Sequence, residues 1–567
     1  MKKIQLTVAF FTAITFLFST VKAQDDNRRV EDISDGIFAT EDASRNLRVT
    51  NEKTAGSDSL SAVFIVNDSG DAPDAVPGDG ICETSVGSGI CTLRAAIGEA
   101  NALAGDDTII FDPSVTLIPV SGQIQITSNL TIIGNGADKL TIQNAAAQST
   151  TSRIFNATNF AVHISGVTLT GGNVTGAGGA ILSTGNLTIT NSVIANNSAT
   201  GVGGGIRSTN NLTVHNSVIT GNSSTASTSG GISFAGSNLT ITNTAISNNV
   251  SSGNGGGMNI SATASATISN STISGNIAGA SSGGFFLNRG TITNTTISGN
   301  TANGAEANGG GGGRIQAGAN SVSFISCTIT NNTAPNAAGG ARSGIWHETG
   351  TLNIANSIVA ANVTQDIQFD GGTLVSGGFN LIGENTSVAA VFPDGAPNAN
   401  GDYVGTDASP IDPLIGPLAD NGGATETHAL LEKSPAIDKG SALGLSADQR
   451  GFIRTVDVPT VPDAPGGDGT DIGAFEFQST PNTAGFSVSG KVLDNAGRGL
   501  SRAMVVLTDG DGNSRAAMTN SFGNFVFDDV TAGESFIVTV ENKIYRFGPQ
   551  VITVNENISG LQIAALP

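Results

Sequence analysis

Short alternations of apolar and polar residues, each closed by Asn or Gly, recur seven times between Leu187 and Asn362. The first copy reads Leu187-Thr-Ile-Thr-Asn191-Ser-Val-Ile194-Ala-Asn-Asn197. Aligned copies place Asn191, Asn216, Asn243, Asn270, Asn294, Ser326 and Asn356 at the centre, 24 to 32 residues apart. Two positions earlier stand Ile189, Val214, Ile241, Ile268, Ile292, Phe324 and Ile354; three positions later Ile or Val recurs, ending at Val359. Six positions after the centre every copy has Asn, from Asn197 to Asn362. Runs of three or four β-branched residues with Gly/Asn turns, at this period, predict a solenoid of stacked β-coils. A helical array is excluded, because Leu, Glu and Lys are scarce and the runs are too short. In Leu187-Thr-Ile-Thr the alternation gives a strand with one buried face. The odd step from Ile189 to Ile194 keeps both residues inward only if the chain bends between them. Asn191 is suited to the bend, since Asn tolerates the left-handed region best among non-Gly residues. Stacking then predicts a continuous Ile core and amide ladders from both Asn columns. Segments between copies vary from 13 residues (277–289) to 21 (301–321) and read as loops, with Gly runs such as Gly203 to Gly205 as turn filler.

The pattern resembles the right-handed parallel β-helix family, single-stranded and all-β. Thr168-Leu169-Thr170 and Leu130-Thr-Ile-Ile133 extend it toward the N-terminus. Cys91-Thr-Leu-Arg-Ala-Ala-Ile97, with Glu99-Ala100-Asn101 and Asp107-Thr-Ile-Ile-Phe111, resembles the bacterial CSLREAI-type N-terminal module. Leu93, Ala96, Ile97, Ala100 and Leu103 share one face of a short helix, which is expected to plug the first coil. The stretches Asp412 to Gly423, Ser434-Pro-Ala-Ile-Asp438, Asp448-Gln-Arg-Gly-Phe452 and Asp471-Ile-Gly-Ala-Phe-Glu476 resemble the choice-of-anchor Q family. That resemblance implies a closure at the C-terminal end of the rod. Val488-Ser-Gly490-Lys-Val492, Ala503-Met-Val-Val-Leu507 and Thr519 to Phe527 resemble the carboxypeptidase regulatory-like modules, small β-sandwiches of prealbumin type. The expected organisation is signal peptide 1–23, leader 24–60, capping module 61–111, β-helix 112–385, C-terminal cap 386–478, linker 479–485 and β-sandwich 486–567.

Met1-Lys2-Lys3, the apolar stretch Val8 to Phe18 and Val21-Lys22-Ala23 read as a secretory signal cleaved between Ala23 and Gln24. No segment approaches the length of about 20 apolar residues that spans a membrane. The expected product is secreted or surface-associated, bacterial and monomeric. An oxidising exterior favours a Cys82–Cys91 disulfide, while Cys327 replaces Ser or Thr of other copies and reads as a buried thiol. Net charge is −21, yet residues 140–360 carry five Arg against Glu306 and Glu348. An acidic chain with a mildly basic rod has no electrostatic case for nucleic acid.

Enzymes on this fold cleave polysaccharides with paired carboxylates or carboxylate-held calcium. From Lys139 through Gln365 there is no Asp at all. No catalytic residue is therefore assigned, and the alternative is a carbohydrate-active enzyme with an unrecognised site. Asp68, Asp71, Asp74 and Asp79 form an acidic run suited to structural calcium, the one cofactor considered. Asp420, His428, Asp438, Asp448, Arg450 and Asp471 read as capping turns with an Arg–Asp pair. Asp509-Gly-Asp511-Gly-Asn513 lacks a distal bidentate Glu and reads as a hairpin turn. His163 and His215 sit at outward strand positions. The two longest inter-copy segments, 301–321 and 333–351, hold Arg314, Arg342, the only Trp (Trp346), His347 and Glu348. Trp and Arg dominate interface hot spots, so these five residues are the candidate ligand patch for an extracellular glycan or surface protein. The competing role for Trp346 is packing over the final coils.

Overall fold

The computed structural model describes residues 61–145, 152–261, 263–304, 309–336, 342–478, 486–510, 512–531, 534–542, 544–554 and 557–566. The Ala23–Gln24 junction, the leader, Glu306, the linker and Asp511 lie outside the described residues. Residues up to 455 together with 463–476 form one compact unit, and 456–462 with 477 onward form another.

The first unit is a parallel β-helix. In one coil, Ile181–Ser183 and Leu187–Thr190 belong to a first sheet, Val193–Ala195 to a second and Ser198–Ala199 to a third. The first sheet has 20 strands, since many coils contribute two; the second has 12 and the third six. Register follows the sequence alignment, with Leu187 beside Leu212 and Leu239, and Ile189 beside Val214 and Ile241. Those side chains are at most 1 % exposed and form one core cluster from Ala62 to Val404. At the central column, Asn191, Asn216, Asn243, Asn270, Asn294, Ser326 and Asn356 all adopt φ between 44° and 53°. The bend that keeps Ile189 and Ile194 inward is thus made at each copy by a left-handed residue.

Only one of the two Asn columns becomes a full ladder. Asn197 gives its backbone N–H and its amide N–H to Asn222 Oδ1, both at 3.0 Å. Asn222, Asn249, Asn276, Asn300 and Asn332 repeat the arrangement on the next coil, reaching Asn362. The second amide proton goes to a carbonyl such as Ile194 O, so nearly every polar group in the column is paired. In the central column the amides meet at Asn216 and Asn191, while Asn294 bonds Ala447 O. That column is exposed to solvent over its first coils, where the bend and not the ladder requires Asn.

The Gly runs do more than fill turns. Gly204, Gly230, Gly256 and Gly283 stack on successive coils, and a Cβ at Gly256 would lie 2.4 Å from Gly283 O. The third corner closes only because these positions carry no side chain.

Helix α1 (Leu93–Ala102) starts at Thr92, whose hydroxyl accepts from Ala95 N at 3.1 Å. Its buried face, Leu93, Ala96, Ile97 and Ala100, packs against the first coils. Cys82 and Cys91 are joined, and Cys327 is a buried free thiol. The later parts of the segments 301–321 and 333–351 are strand, since Gly313–Ile325 and Ile345–Ala355 run unbroken through the first sheet.

The region expected to close the C-terminal end divides in two. Val388 and Phe392 enter the core, and Tyr403–Val404 pairs with Leu381–Ile382, which closes the end. Residues 412–455 and 463–476 instead lie along the side of the rod, on the outer face of the second sheet. Thr272 donates to Glu426 O, Thr296 to Gln449 Oε1, and Ala474 N donates to Thr328 Oγ1. The three coils before Thr272 have Val193, Val218 and Ala245 at the matching positions, which offer no hydroxyl. The change to Thr creates a polar strip that a loop segment can bond along its length.

The second unit contains the two sheets of a small β-sandwich, one mixed and one antiparallel. One sheet joins Asn524–Val530, Phe486–Leu493 and Ile558–Ala564; the other joins Ser514–Met518, Met504–Thr508, Ser535–Glu541 and Gln550–Thr553. Val488, Val492, Val505, Leu507, Phe525, Phe527 and Val538 form its core. Thr508 pairs with Ser514 at the end of an antiparallel ladder, and Asn513 N donates to Asp509 Oδ1.

Candidate functional site

Parallel stacking places one outward side chain per coil in a row along the first sheet. Arg207, Ser233, Asn259, Phe286, Arg314, Trp346 and Gln368 are successive members of this row. Four of the five proposed patch residues gather at its C-terminal end. The Arg314 guanidinium lies 4.2 Å from the Trp346 ring centre and 5.3 Å from that of Phe286. Arg342 lies 4.7 Å from the same Trp ring. Arg314 pairs with Glu348, whose other oxygen accepts from Gln316 Nε2 at 3.1 Å. Asp370 accepts from both Arg342 (3.0 Å) and Trp346 Nε1 (2.8 Å). Two cations and two anions neutralise one another around an indole that is only 5 % exposed. Trp346 is therefore held within the lattice and is not an open stacking platform.

His347 does not belong to the patch. Strand parity turns it inward between Ile315 and Phe369, where it is fully buried and its ring centre lies 5.3 Å from that of Phe369. Neither ring nitrogen has a hydrogen bond of normal geometry, although the Thr349 and Gly350 backbone is near. Burial pushes its pKa down, against a smaller upward pull from that backbone. Read as a loop, 333–351 gave no parity, so the sequence could not tell an inward His from an outward one. Asp370 and Phe286 were missed because they lie on neighbouring coils outside the two longest segments.

The acidic run at the N-terminus is divided among separate partners. Asp71 pairs with Arg94 at 2.9 Å, and Asp74 accepts from Val76 N and Glu83 N. Asp68 and Asp79 each close a local turn onto Gly70 N and Ile81 N. Among the described residues no three of the four bring oxygens within 4.8 Å of one another. The run does not assemble a cation cage. Of the histidines at outward positions, His163 is partly buried and bonds Thr190, and His215 is exposed.

In the lateral segment, Asp448 pairs with Arg450 at 2.7 Å, and Asp420 closes a turn on Gly422 N. Arg450 also covers the Phe475 ring at 3.6 Å. His428 Nδ1 donates to Gly416 O at 2.7 Å, which leaves Nε2 to accept from Ser298 Oγ at 2.8 Å. The His428–Ser298 bond ties the segment to the rod, and the other contacts fold the segment on itself.

One pair of carboxyl groups was not singled out from the sequence. The Asn ladder ends on Asp366, whose Oδ1 accepts from Asn362 N and Nδ2. Asp366 Oδ2 accepts from Glu384 N, and Glu384 Oε1 accepts from Asp366 N. Thr386 holds the remaining Glu384 oxygen. Burial raises the Asp366 pKa from 3.8 to about 7, opposed by the Asn362 and Glu384 donors and aided by the Glu384 charge. An acid whose folded pKa is raised binds its proton more tightly in the folded chain. Its favourable contribution is complete below its unfolded pKa of about 4 and is lost as pH rises through about 7. Asp366→Asn keeps an acceptor for Asn362 and removes the ionisation. Melting temperatures at about pH 5 and about pH 8 should therefore fall less steeply with pH in the variant than in the parent. Parallel slopes would refute this assignment.

No known family, no curated protein and no solved structure matches the chain. The functional reading rests on the chemistry of its own surface.

Proposed function

We propose that the chain is an exported, extracellular or cell-surface protein that recognises a glycan or surface protein without chemically altering it, in the manner of an adhesin. The observation that carries this reading is the lattice of Arg314, Trp346, Arg342, Glu348 and Asp370 on the outer row. It concentrates rigid Arg and Trp groups on an otherwise Gly-, Ser-, Thr- and Asn-rich rod, and preorganised Arg/aromatic clusters supply recognition energy. Its carboxylates, Glu348 and Asp370, are each bound to a guanidinium. The resemblances of the ends to the CSLREAI-type, choice-of-anchor Q and carboxypeptidase regulatory-like modules support a bacterial surface setting. The apolar signal stretch Val8 to Phe18 with Ala23-Gln24 supports export.

The second reading, a carbohydrate-active enzyme, draws on the Asp366–Glu384 pair, because a raised carboxyl pKa suits a general acid. Against it, Asp366 is 2 % and Glu384 9 % exposed, and all four oxygens accept bonds from the chain itself. We assign the pair to closing the ladder. The test is an array of glycans and matrix proteins probed with the full chain. Binding that weakens in Arg314→Gln, at unchanged melting temperature, is expected. An array with no ligand, or one indifferent to Arg314 and Arg342 substitutions, would overturn the reading.

A further inference from the structure

The lateral segment meets the rod through one contact that the recognition reading does not use. Thr272 and Thr296 stand side by side on successive coils and face outward from the second sheet, under Gln449. The Gln449 side chain is fixed at both ends of its amide. Its Nε2 donates to Thr272 Oγ1 at 2.9 Å, Thr425 Oγ1 at 2.9 Å and Glu426 O at 3.1 Å. Glu426 O can only accept, so the nitrogen must face it and the amide oxygen must face Thr296. The Thr296 hydroxyl donates to that oxygen at 2.7 Å. At ordinary acceptor angles this places the hydroxyl oxygen about 3 to 3.5 Å from the amide carbon, the separation of atoms poised for attack. Thr296 is fully buried and Gln449 is 2 % exposed, so the contact is dry. Other hydroxyls that bond a side-chain amide oxygen, such as Thr184 on Asn159 and Ser281 on Asn254, lie at exposed or part-exposed sites. A neutral base shares the strip. Ser298, two positions beyond Thr296 on the same face, bonds His428 Nε2 at 2.8 Å. Burial lowers the His428 pKa, against a smaller upward pull from Gly416 O.

We propose that Thr296 and Gln449 condense into an internal ester that ties the lateral segment covalently to the rod. Thr296 Oγ1 adds to Gln449 Cδ, the Cδ–Nε2 bond breaks, and the nitrogen leaves as ammonia with the hydroxyl proton. One C–O bond replaces one C–N bond, and no oxidant, metal or second substrate is consumed. Between separate molecules this exchange is slow, because the two groups rarely meet in a reactive orientation. Here the fold holds them in contact, which supplies the missing proximity, and the ammonia is lost to the surrounding water. Thr272, Thr425 and Glu426 O hold the departing nitrogen on the side away from Thr296. Once formed, the ester lies in an interface that water does not reach, which protects it from hydrolysis. The link joins residues 153 apart in sequence, so the lateral segment could not peel away from the coils. The proposal is independent of the recognition reading above.

The experiment is peptide mapping of the purified full chain by mass spectrometry after denaturation and proteolysis. A linked pair of peptides is expected, one holding Thr296 and the other Gln449, lighter by one ammonia than their sum. Mild alkaline hydrolysis, which cleaves esters and spares peptide bonds, should separate the pair. Thr296→Val keeps the side-chain shape and removes the hydroxyl, so it should give only unlinked peptides. Thr296→Ser should restore the link. A parent chain whose Thr296 and Gln449 peptides run apart would overturn the proposal, whether Gln449 keeps its amide or has become Glu. So would a link that survives Thr296→Val. The parent map decides the matter even where Thr296→Val fails to fold.

Discussion

Asn276→Ala should destabilise the rod by at least about 4 kcal/mol, a large share of the 5–15 kcal/mol that holds typical domains together. Asn276 sits in the middle of the ladder and is fully buried. Its Oδ1 accepts from Asn249 N and Nδ2, and its Nδ2 donates to Ile246 O and Asn300 Oδ1. Alanine strands a backbone donor, an amide donor and a carbonyl in a region water does not reach, each costing about 1–3 kcal/mol, and leaves a small cavity as well. Thermal unfolding followed by circular dichroism measures the loss. The exposed Asn238, which bonds Asn211 at the surface, is the control. Its replacement by Ala should stay within about 0.5 kcal/mol. Similar losses at both sites would show that the buried column does not hold the coils together.

Arg454→Met carries the second large effect. Arg454 is buried and reaches across 160 residues of sequence to Asn294 Oδ1 at 3.2 Å, while bonding Gly473 O and Asp471 O. Burial lowers its pKa, and the charges of Glu476, Asp448 and Asp471 work against that shift. Removing the cation leaves these acids uncompensated in a dry interface, which costs about 3–5 kcal/mol. The loss should fall on the lateral segment before the coils. Limited proteolysis is therefore expected to cut first within 412–476 and leave the rod resistant. An unchanged cleavage pattern would refute the clasp.

Much of this architecture was legible because a solenoid writes its contacts into its own period. The Asn191 column revealed the bend, the odd spacing of Ile189 and Ile194 the inward pair, and Asn197 to Asn362 the ladder. The substitution of Cys327 for Ser or Thr placed the thiol correctly. Features that depend on partners outside the period were not legible. His347 needed the strand parity of Ile345–Ala355, and the lateral course of 412–455 and 463–476 needed the Thr272, Thr296 and Thr328 strip. Asp68 to Asp79 showed the limit of proximity in sequence, since four acids within twelve residues bond separate sets of partners.

The most direct test of the account is prolonged incubation of the full chain with pectins, alginates and glucans, with and without calcium, followed by assay of reducing and unsaturated ends. A recognition rod with no free carboxylate pair should retain its ligand and release no new ends. Reproducible depolymerisation, abolished by Glu306→Gln, Glu348→Gln or Asp366→Asn, would contradict it.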